Sequence, residues 1–230
     1  MIKILKYGEV ENSRIFSRAV PQAEVGSVVR EIIRDVRENG DTALYKYCEK
    51  FDKASLTSLS VSKGEIDEAI SKTDKEFIKI LEESADNIRQ FHSRQKRDGF
   101  RIEKENGVII GQKILPVNCA GLYVPGGTAA YPSTVLMDAI PAKIAGCKNV
   151  VMVTPPSADG TVNPAILAAA SVAGVDRIFK VGGAQAIAAL AYGTESIPKA
   201  DKIVGPGNAF VAEAKRQVYG EVSIDMIAGP

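Results

Sequence analysis

After residue 119 the chain alternates short β-forming runs with helical stretches of about ten residues. The β-forming runs are 120–124, 149–153, 177–181 and 202–204. The helical stretches between and after them are 133–145, 164–173, 184–192 and 209–219. Consecutive parallel strands need a long crossover, which is most often a helix, so this alternation predicts a parallel sheet. We therefore expect an α/β fold whose second half is a parallel sheet with helices on both faces.

The first half of the chain has a different composition. Residues 1–110 hold 40 of the 57 charged residues but only 6 of the 20 glycines. Apolar residues recur there at helical spacing, most clearly over 25–36 and 77–91. This pattern predicts a mainly helical N-terminal segment before the sheet.

Local signals predict where these helices begin and end. Asn39-Gly40 is a stop signal, and Asp41 is suited to cap the helix that follows. Ser62 with Glu65, and Thr73 with Glu76, both fit the capping-box pattern. The helix after Thr73 is predicted to reach about residue 95. A hairpin of 101–103 and 108–112 around Glu105-Asn106-Gly107 is expected next. In the second half, Ser133 is expected to cap a helix that is kinked or restarted near Pro141.

Charge and residue counts exclude several classes of protein. The net charge is +1 and tryptophan is absent, which argues against nucleic-acid binding. The chain has no apolar run long enough for a membrane span and no secretory signal, and its three widely spaced cysteines suit a reducing cytoplasm. A single histidine, His92, excludes a metal site built on two histidines of this chain.

Three of the predicted strand-to-helix turns are rich in glycine. They are Val124-Pro125-Gly126-Gly127, Val181-Gly182-Gly183-Ala184 and Val204-Gly205-Pro206-Gly207. Such turns meet at the carboxyl edge of a parallel sheet, where ligands bind, and glycine lets a phosphate approach the backbone. The usual dinucleotide fingerprint is absent, because Phe210 stands where its third glycine belongs. Spacing alone therefore indicates a nucleotide site of unusual form.

The sequence around these turns closely resembles the histidinol dehydrogenase family. The resemblance rests on four segments that occur in the family's order. They are Gly121–Gly127 (GLYVPGG), Pro132–Met137 (PSTVLM), Val181–Leu190 (VGGAQAIAAL) and Gly205–Val211 (GPGNAFV) followed by Glu213-Ala214-Lys215. It extends more weakly back through Phe91-His92 and the preceding helices, and so covers essentially the whole chain.

The resemblance implies a zinc-dependent enzyme that oxidises L-histidinol to L-histidine with two molecules of NAD, the last steps of histidine biosynthesis. It implies a Rossmann-like NAD-binding domain, a homodimer with shared active sites and a cytoplasmic location. The residues that it assigns to NAD are Tyr123, Gln185 and Asn208, with Gly126, Gly127 and Gly207 in the adjoining turns. Each of these lies at or beside one of the three glycine-rich turns, in agreement with the inference from spacing.

The family's zinc ligands and its proton-transferring Glu-His pair follow the Asp225–Pro230 segment, so the resemblance places no catalytic or metal-binding residue in this chain. We therefore expect the N-terminal half of such an enzyme, inactive alone, with an incomplete sheet, an exposed apolar edge and a tendency to associate. The predicted organisation is a tail over 1–17, the opening part of a first α/β domain over 18–121 and the NAD-binding domain over 122–230.

Two alternatives remain open from the sequence. One is an aldehyde dehydrogenase-like oxidoreductase that uses Cys119 or Cys147 as a nucleophile, although the sequence around both cysteines is more typical of thiols buried in the core. The other is a non-catalytic nucleotide-binding module. His92 is expected to have a hydrogen-bonded structural role, and Lys202 could either meet a phosphate or begin a surface strand.

Overall fold

The computed structural model describes residues 4–16, 25–126 and 130–227. Its helices are α1 (Asn12–Phe16), α2 (Gly26–Tyr47), α3 (Lys63–Lys72), α4 (Lys75–Ser93), α5 (Pro132–Ala145), α6 (Pro164–Ala173), α7 (Gly183–Tyr192) and α8 (Ala209–Val218). A turn of π-helix, Cys48–Asp52, extends α2. The strands are β1 (Phe100–Glu103), β2 (Ile109–Gln112), β3 (Cys119–Tyr123), β4 (Asn149–Thr154), β5 (Arg177–Lys180), β6 (Lys202–Val204) and β7 (Ser223–Ile224).

Five strands form one parallel sheet in the order β5-β4-β3-β6-β7. Strand β3 is central and buried along its whole length, with Gly121 level with Val151 on one side and Ile203 on the other. A β-carbon on Gly121 would come within 3.1 Å of the Leu190 side chain, so glycine lets α7 pack closely on this strand. The two-residue strand β7 was not predicted.

Helices cover both faces of this sheet, which confirms the predicted α/β class. Helices α2, α7 and α8 pack together over one face, and α3 to α6 pack over the other. The helical N-terminal segment therefore supplies helices to the layer on each face of the sheet. The division at residues 17 and 121 stays a prediction about domains.

The predicted break in the first long helix occurs at Gly40. This residue has φ +50° and ψ −131°, which interrupts α2. The Asp41 backbone N–H then donates to the Glu195 carboxylate at 2.8 Å, and the Asp41 carboxylate accepts from the Ser196 hydroxyl at 2.5 Å. Asp41 therefore binds the loop after α7 instead of capping its own helix, which corrects the expectation from the sequence. The break anchors α2 to the helical layer of the parallel sheet.

Two of the other predicted helix starts are corrected by the structure. Ser62 and Glu65 form the expected capping box. Thr73 ends α3 instead, and Asp74 caps α4 by accepting from the Glu76 N–H at 2.7 Å. Helix α5 begins at Pro132, one residue before the predicted cap at Ser133, because proline is already shaped for a first helical position. It also continues through Pro141 as one helix.

The predicted hairpin of β1 and β2 is present as an antiparallel pair. All eight of its strand residues are exposed. Several large apolar side chains on and just after it are also open to solvent: Phe100, Ile102, Ile109, Ile110, Ile114 and Leu115. This segment is the most extensive run of exposed apolar residues among those that the structure describes.

None of the helices in the described parts of the chain combines the length and the apolar character needed to cross a bilayer.

Candidate functional site

The three glycine-rich turns meet at the carboxyl edge of the sheet. Gly183 at the start of α7 donates its backbone N–H to the Tyr123 hydroxyl at 3.1 Å. Gly205, with φ +116°, passes so close to β3 that an added β-carbon would collide with the Tyr123 carbonyl oxygen. Tyr123 at the end of the central strand therefore contacts the other two turns. The turns form one structure, as their positions in the sequence predicted.

A cavity of about 690 Å³ opens at this edge. One side, which we call the sheet wall, is formed by residues from the turns and from the loop after β4: Tyr123, Pro125, Gly126, Pro155, Pro156, Ser157, Ala158, Gly183, Ala184, Gln185, Asn208 and Phe210. The other side, the helix wall, is formed by Val28, Ile32, Phe51 and Asp52 from α2 and the π-helical turn. A cavity of this volume is in the range of small-molecule and cofactor sites.

Tyr123 forms the inner end of the sheet wall. Its side chain is 4% exposed, and burial raises the pKa of its hydroxyl above the ordinary value. The hydrogen bond from Gly183 fixes that hydroxyl on the α7 turn. Tyr123 is therefore a neutral, immobile ring surface at neutral pH.

Gln185 lies in the first turn of α7 and is 2% exposed. Its amide lies against Gly183, where an added β-carbon would be 2.8 Å from Oε1. The hydrogen bonds of the described residues include none to this amide. A buried amide that lines a cavity and keeps both donor and acceptor capacity is suited to pair with a polar ligand.

Asn208 begins α8 on the third turn. Its Oδ1 accepts from the Phe210 and Val211 backbone N–H groups at 3.1 and 3.2 Å, which caps the helix. The cap occupies the side-chain oxygen and leaves the amide N–H groups as donors toward the cavity. The structure thus brings Tyr123, Gln185 and Asn208 to the same cavity.

The predicted glycines have different positions. Gly126 lines the cavity, and an added β-carbon would lie 2.6 Å from Pro155 Cγ, so a side chain there would press on the sheet wall. Gly127 lies outside the described residues. Gly207 does not line the cavity; an added β-carbon would collide with the Val211 side chain. Glycine at 207 therefore lets the turn pack on α8.

The third turn is held from behind by a buried lysine. Lys215, 1% exposed, donates to the Gly205 carbonyl at 2.9 Å and forms an ion pair with Asp225, which in turn accepts from the Gly205 N–H at 2.9 Å. Asp138 lies beside them with a buried Oδ2 that has no partner among the described residues. Burial raises the pKa of Asp138 to about 7, with a further increase from the charge of Asp225. The Lys215–Asp225 pair fixes both polar groups of the Gly205 peptide.

The helix wall was not predicted from the sequence. Phe51 on this wall is 48% exposed and lines the cavity. Asp52 next to it has a buried Oδ2 with no partner among the described residues, and burial raises its pKa to about 6. Nothing in the local sequence marks Asp52, because its importance arises from contact with residues more than 70 positions away.

Comparison with known proteins agrees with this geometry. The model of the family described as histidinol dehydrogenase matches residues 17–230. The chain belongs to the histidinol dehydrogenase family. Histidinol dehydrogenase of Clostridium acetobutylicum is 52% identical over all of this chain and 54% of its own length. That of Lactiplantibacillus plantarum is 58% identical over 90% of this chain and 48% of its own length.

A solved structure gives the same result. The crystal structure of histidinol dehydrogenase from Elizabethkingia anophelis matches with a TM-score of 0.86 and 45% identity, over 90% of this chain and 48% of that one. The chain thus spans about half the length of the histidinol dehydrogenases that it matches. This confirms the family and the α/β fold expected from the sequence.

The cysteines do not support the aldehyde dehydrogenase-like alternative. Cys119 and Cys147 are 5% and 9% exposed, and neither lines the cavity. Burial raises the pKa of both thiols, so neither is poised as a thiolate nucleophile. Both are core thiols in this member of the histidinol dehydrogenase family.

His92 and Lys202 also lie outside the cavity lining. His92 Nδ1 lies 2.7 Å from Gln95 Oε1, one turn along the chain, which is a hydrogen-bonded structural contact. Lys202 donates to the Ile224 carbonyl at 2.9 Å and so ties β6 to β7 instead of facing the cavity. Within the described residues, no group of three or more His, Cys, Asp or Glu side chains is arranged to hold a metal ion.

Proposed function

We propose that the cavity between the sheet wall and the helix wall binds NAD. We further propose that the protein to which this chain belongs oxidises L-histidinol to L-histidine through the aldehyde. The single observation that supports NAD binding best is the meeting of Tyr123, Gln185 and Asn208, from three separate strand-to-helix turns, in one cavity. Ligand binding at the carboxyl edge of the strands is the general rule for open parallel sheets.

The residues present fit a dinucleotide. The cavity offers apolar and aromatic surfaces from Tyr123, Pro125 and Phe51, together with unpartnered polar groups on Gln185 and Asp52. Flat apolar surfaces suit the two rings of NAD, and a few polar groups suit its riboses and amide. When bound, NAD supplies the acceptor for the hydride removed from the substrate.

The residues of the chain have binding and positioning roles in this proposal. Tyr123, held by Gly183, provides a fixed surface against which a ring packs. Gln185 and Asn208 donate hydrogen bonds to the cofactor, and the backbone of the adjoining turns excludes water from one side of it. Zinc, which the family resemblance implies, is assigned no ligand among the described residues, since they contain no cluster of suitable side chains.

We also propose that the protein acts as a homodimer in the cytoplasm. The family resemblance supports both statements. The exposed apolar residues between Phe100 and Leu115 give a surface on which another part of the assembly can pack. Three free, buried cysteines agree with a reducing compartment.

Titration of the 230-residue chain against NADH, followed by nucleotide fluorescence, tests the site. The matched variant is Asn208→Asp, which keeps an oxygen to cap α8 but removes the amide donors and adds negative charge to a cavity proposed to hold an anionic cofactor. We expect about tenfold or more loss of affinity, as for one charge-sensitive hydrogen bond. Exposed Asp67→Asn on α3 is the control and should bind like the unaltered chain. Absence of NADH binding by the unaltered chain would refute the proposed site.

An activity assay tests whether this chain binds the cofactor without carrying the catalytic groups. Because the chain is about half as long as its relatives, and its described residues contain no metal cluster, we expect no histidinol-dependent NADH formation from it alone. Turnover by the 230 residues without added protein would show that the catalytic groups are present in this chain after all.

A further inference from the structure

Among the described residues, Asp52 is the one carboxylate that lines the NAD cavity. Its Oδ2 is buried and accepts no hydrogen bond from them. A buried carboxylate oxygen without a partner is costly, and in native proteins it usually has a functional explanation. Asp52 itself lines the cavity on the helix wall, so its carboxylate borders the space in which a ligand binds.

The cationic and thiol groups next to Asp52 are engaged elsewhere. Lys53 donates to the Lys50 carbonyl at 2.9 Å, and the Lys50 ammonium lies 5.2 Å from the centre of the Phe51 ring. The Cys48 thiol donates to the Lys180 carbonyl at 3.4 Å. The described part of the chain therefore surrounds Asp52 with potential partners but pairs none of them with its Oδ2.

The end of strand β4 lacks the acidic residue that dinucleotide-binding sheets generally carry. In such sheets the first glycine-rich turn is followed, at the end of the next strand, by an Asp or Glu that accepts from a ribose hydroxyl. Here that strand is β4, and it ends at Thr154 followed by Pro155 and Pro156, which line the cavity without a carboxylate. Strand β4 therefore supplies no carboxylate for the ribose.

Among the groups of a dinucleotide, a lone carboxylate is matched by the ribose hydroxyls, the nicotinamide amide or the adenine amino group, and the adenosine ribose is the group that a carboxylate recognises in dinucleotide-binding sheets. A carboxylate repels phosphate, and a single Asp without companion ligands does not make a metal site. We propose that Asp52 accepts a hydrogen bond from the adenosine ribose and thereby selects NAD over NADP, whose extra phosphate sits on that ribose. This inference rests on the proposed NAD site. It assigns cofactor choice to the N-terminal helical segment instead of the sheet.

Parallel titrations with NADH and NADPH test this inference. For the unaltered chain we expect NADPH to bind about 100-fold or more weakly than NADH, since a carboxylate faces its added phosphate. The near-isosteric Asp52→Asn removes the charge. It should weaken NADH binding about tenfold and reduce the preference to about fivefold or less. Asp67→Asn is the matched control and should keep the preference of the unaltered chain.

A competition measurement with nucleotide fragments on the unaltered chain tests the inference even if the Asp52→Asn variant does not fold. Competition against NADH on the unaltered chain should favour 5′-AMP over 2′,5′-ADP, the fragment of NADP that carries the extra phosphate. The outcomes separate the two proposals. No binding of NADH would overturn the proposed function itself. Equal binding of NADH and NADPH, or an Asp52→Asn variant with the unaltered preference, would overturn the role of Asp52 while the NAD site stands.

Discussion

The sheet wall of the cavity is held mainly by hydrogen bonds to the backbone of its turns, whereas the helix wall is held mainly by apolar packing. On the sheet wall, Gly183 donates to the Tyr123 hydroxyl, and both polar groups of the Gly205 peptide are bonded by the Lys215–Asp225 pair. On the helix wall, Ile32 packs into the core shared with α7 and α8, and Asp52 keeps an unused oxygen. The sheet wall is therefore fixed by its own hydrogen bonds, whereas the helix wall carries a carboxylate oxygen that accepts no hydrogen bond from the described residues.

The largest effect should come from adding one methyl group at Gly205, in the third turn next to Tyr123 of the sheet wall. In Gly205→Ala the new β-carbon would collide with the Tyr123 carbonyl oxygen in a left-handed backbone conformation. We expect a loss of at least about 4 kcal/mol in the free energy of unfolding, since strain and a steric clash act together. Denaturant unfolding measures this loss, and NADH binding should disappear with it.

Gly220→Ala is the matched control. Gly220 has a similar φ of +106°, but an added β-carbon there meets no atom within 4 Å. Strain alone should cost about 1–2 kcal/mol. If both variants lost the same stability, the close approach between the third turn and β3 would have no energetic importance, and the contrast between the walls would be lost.

The two walls also differ in how well their structure could be predicted from the sequence. The sheet wall is built from turns whose glycines and strand ends are local signals, so the sequence predicted that the turns meet. The choice of Tyr123, Gln185 and Asn208 came from the family resemblance, and the structure brings all three to one cavity. The helix wall depends on α2 packing against α7, more than 130 residues away, and on a break at Gly40 that directs Asp41 to Ser196. No local pattern encodes that contact.

Errors in the predicted elements have two origins. Thr73 and Ser133 both fit a capping pattern, but neighbouring residues supplied better starts: Asp74 with its own carboxylate and Pro132 with its fixed φ. Strand β7 is only two residues long and is defined by pairing with β6, so its own sequence carries little strand signal. Competition between neighbouring residues decided the two helix starts, and strand pairing in the folded chain decided β7.

A second, smaller effect concerns Asp138 behind the sheet wall. Burial and the nearby Asp225 raise its pKa from 3.8 to about 7 in the folded chain. The folded state therefore holds this proton more tightly than the unfolded state does. The stabilising contribution is complete below about pH 4 and is lost as the pH rises to about 7. Relative to Asp138→Asn, the unaltered chain should lose about 2–4 kcal/mol of unfolding free energy between pH 4 and pH 8.

Chemical denaturation of both proteins at several pH values gives this difference directly. Subtraction removes the titration of groups that the two proteins share, including Asp52. A difference that stays constant from pH 4 to pH 8 would mean that Asp138 is ionised in the folded chain. The cluster behind the sheet wall would then hold Asp138 as a charged carboxylate instead of a neutral one.

The smallest expected effect is a pH dependence of NADH binding. It distinguishes the two walls because it is assigned to Asp52 of the helix wall. Burial raises the pKa of Asp52 to about 6, and protonation removes its charge and part of its acceptor capacity. Besides the two lysines already described, the titratable groups near Asp52 include the Tyr123 hydroxyl and the Cys48 thiol. Burial raises the pKa of the first above its ordinary value and that of the second to about 12, so both stay protonated from pH 5 to pH 8.

NADH affinity should therefore rise about tenfold from pH 5 to pH 7.5 and then level off, because one carboxylate with that pKa is about nine-tenths protonated at pH 5. Fluorescence titration at several pH values measures this rise. The Asp52→Asn variant should bind with a constant affinity over the same range. A pH profile that persisted unchanged in the variant would assign the titration to another group and would leave the helix wall as a packing surface without an electrostatic role.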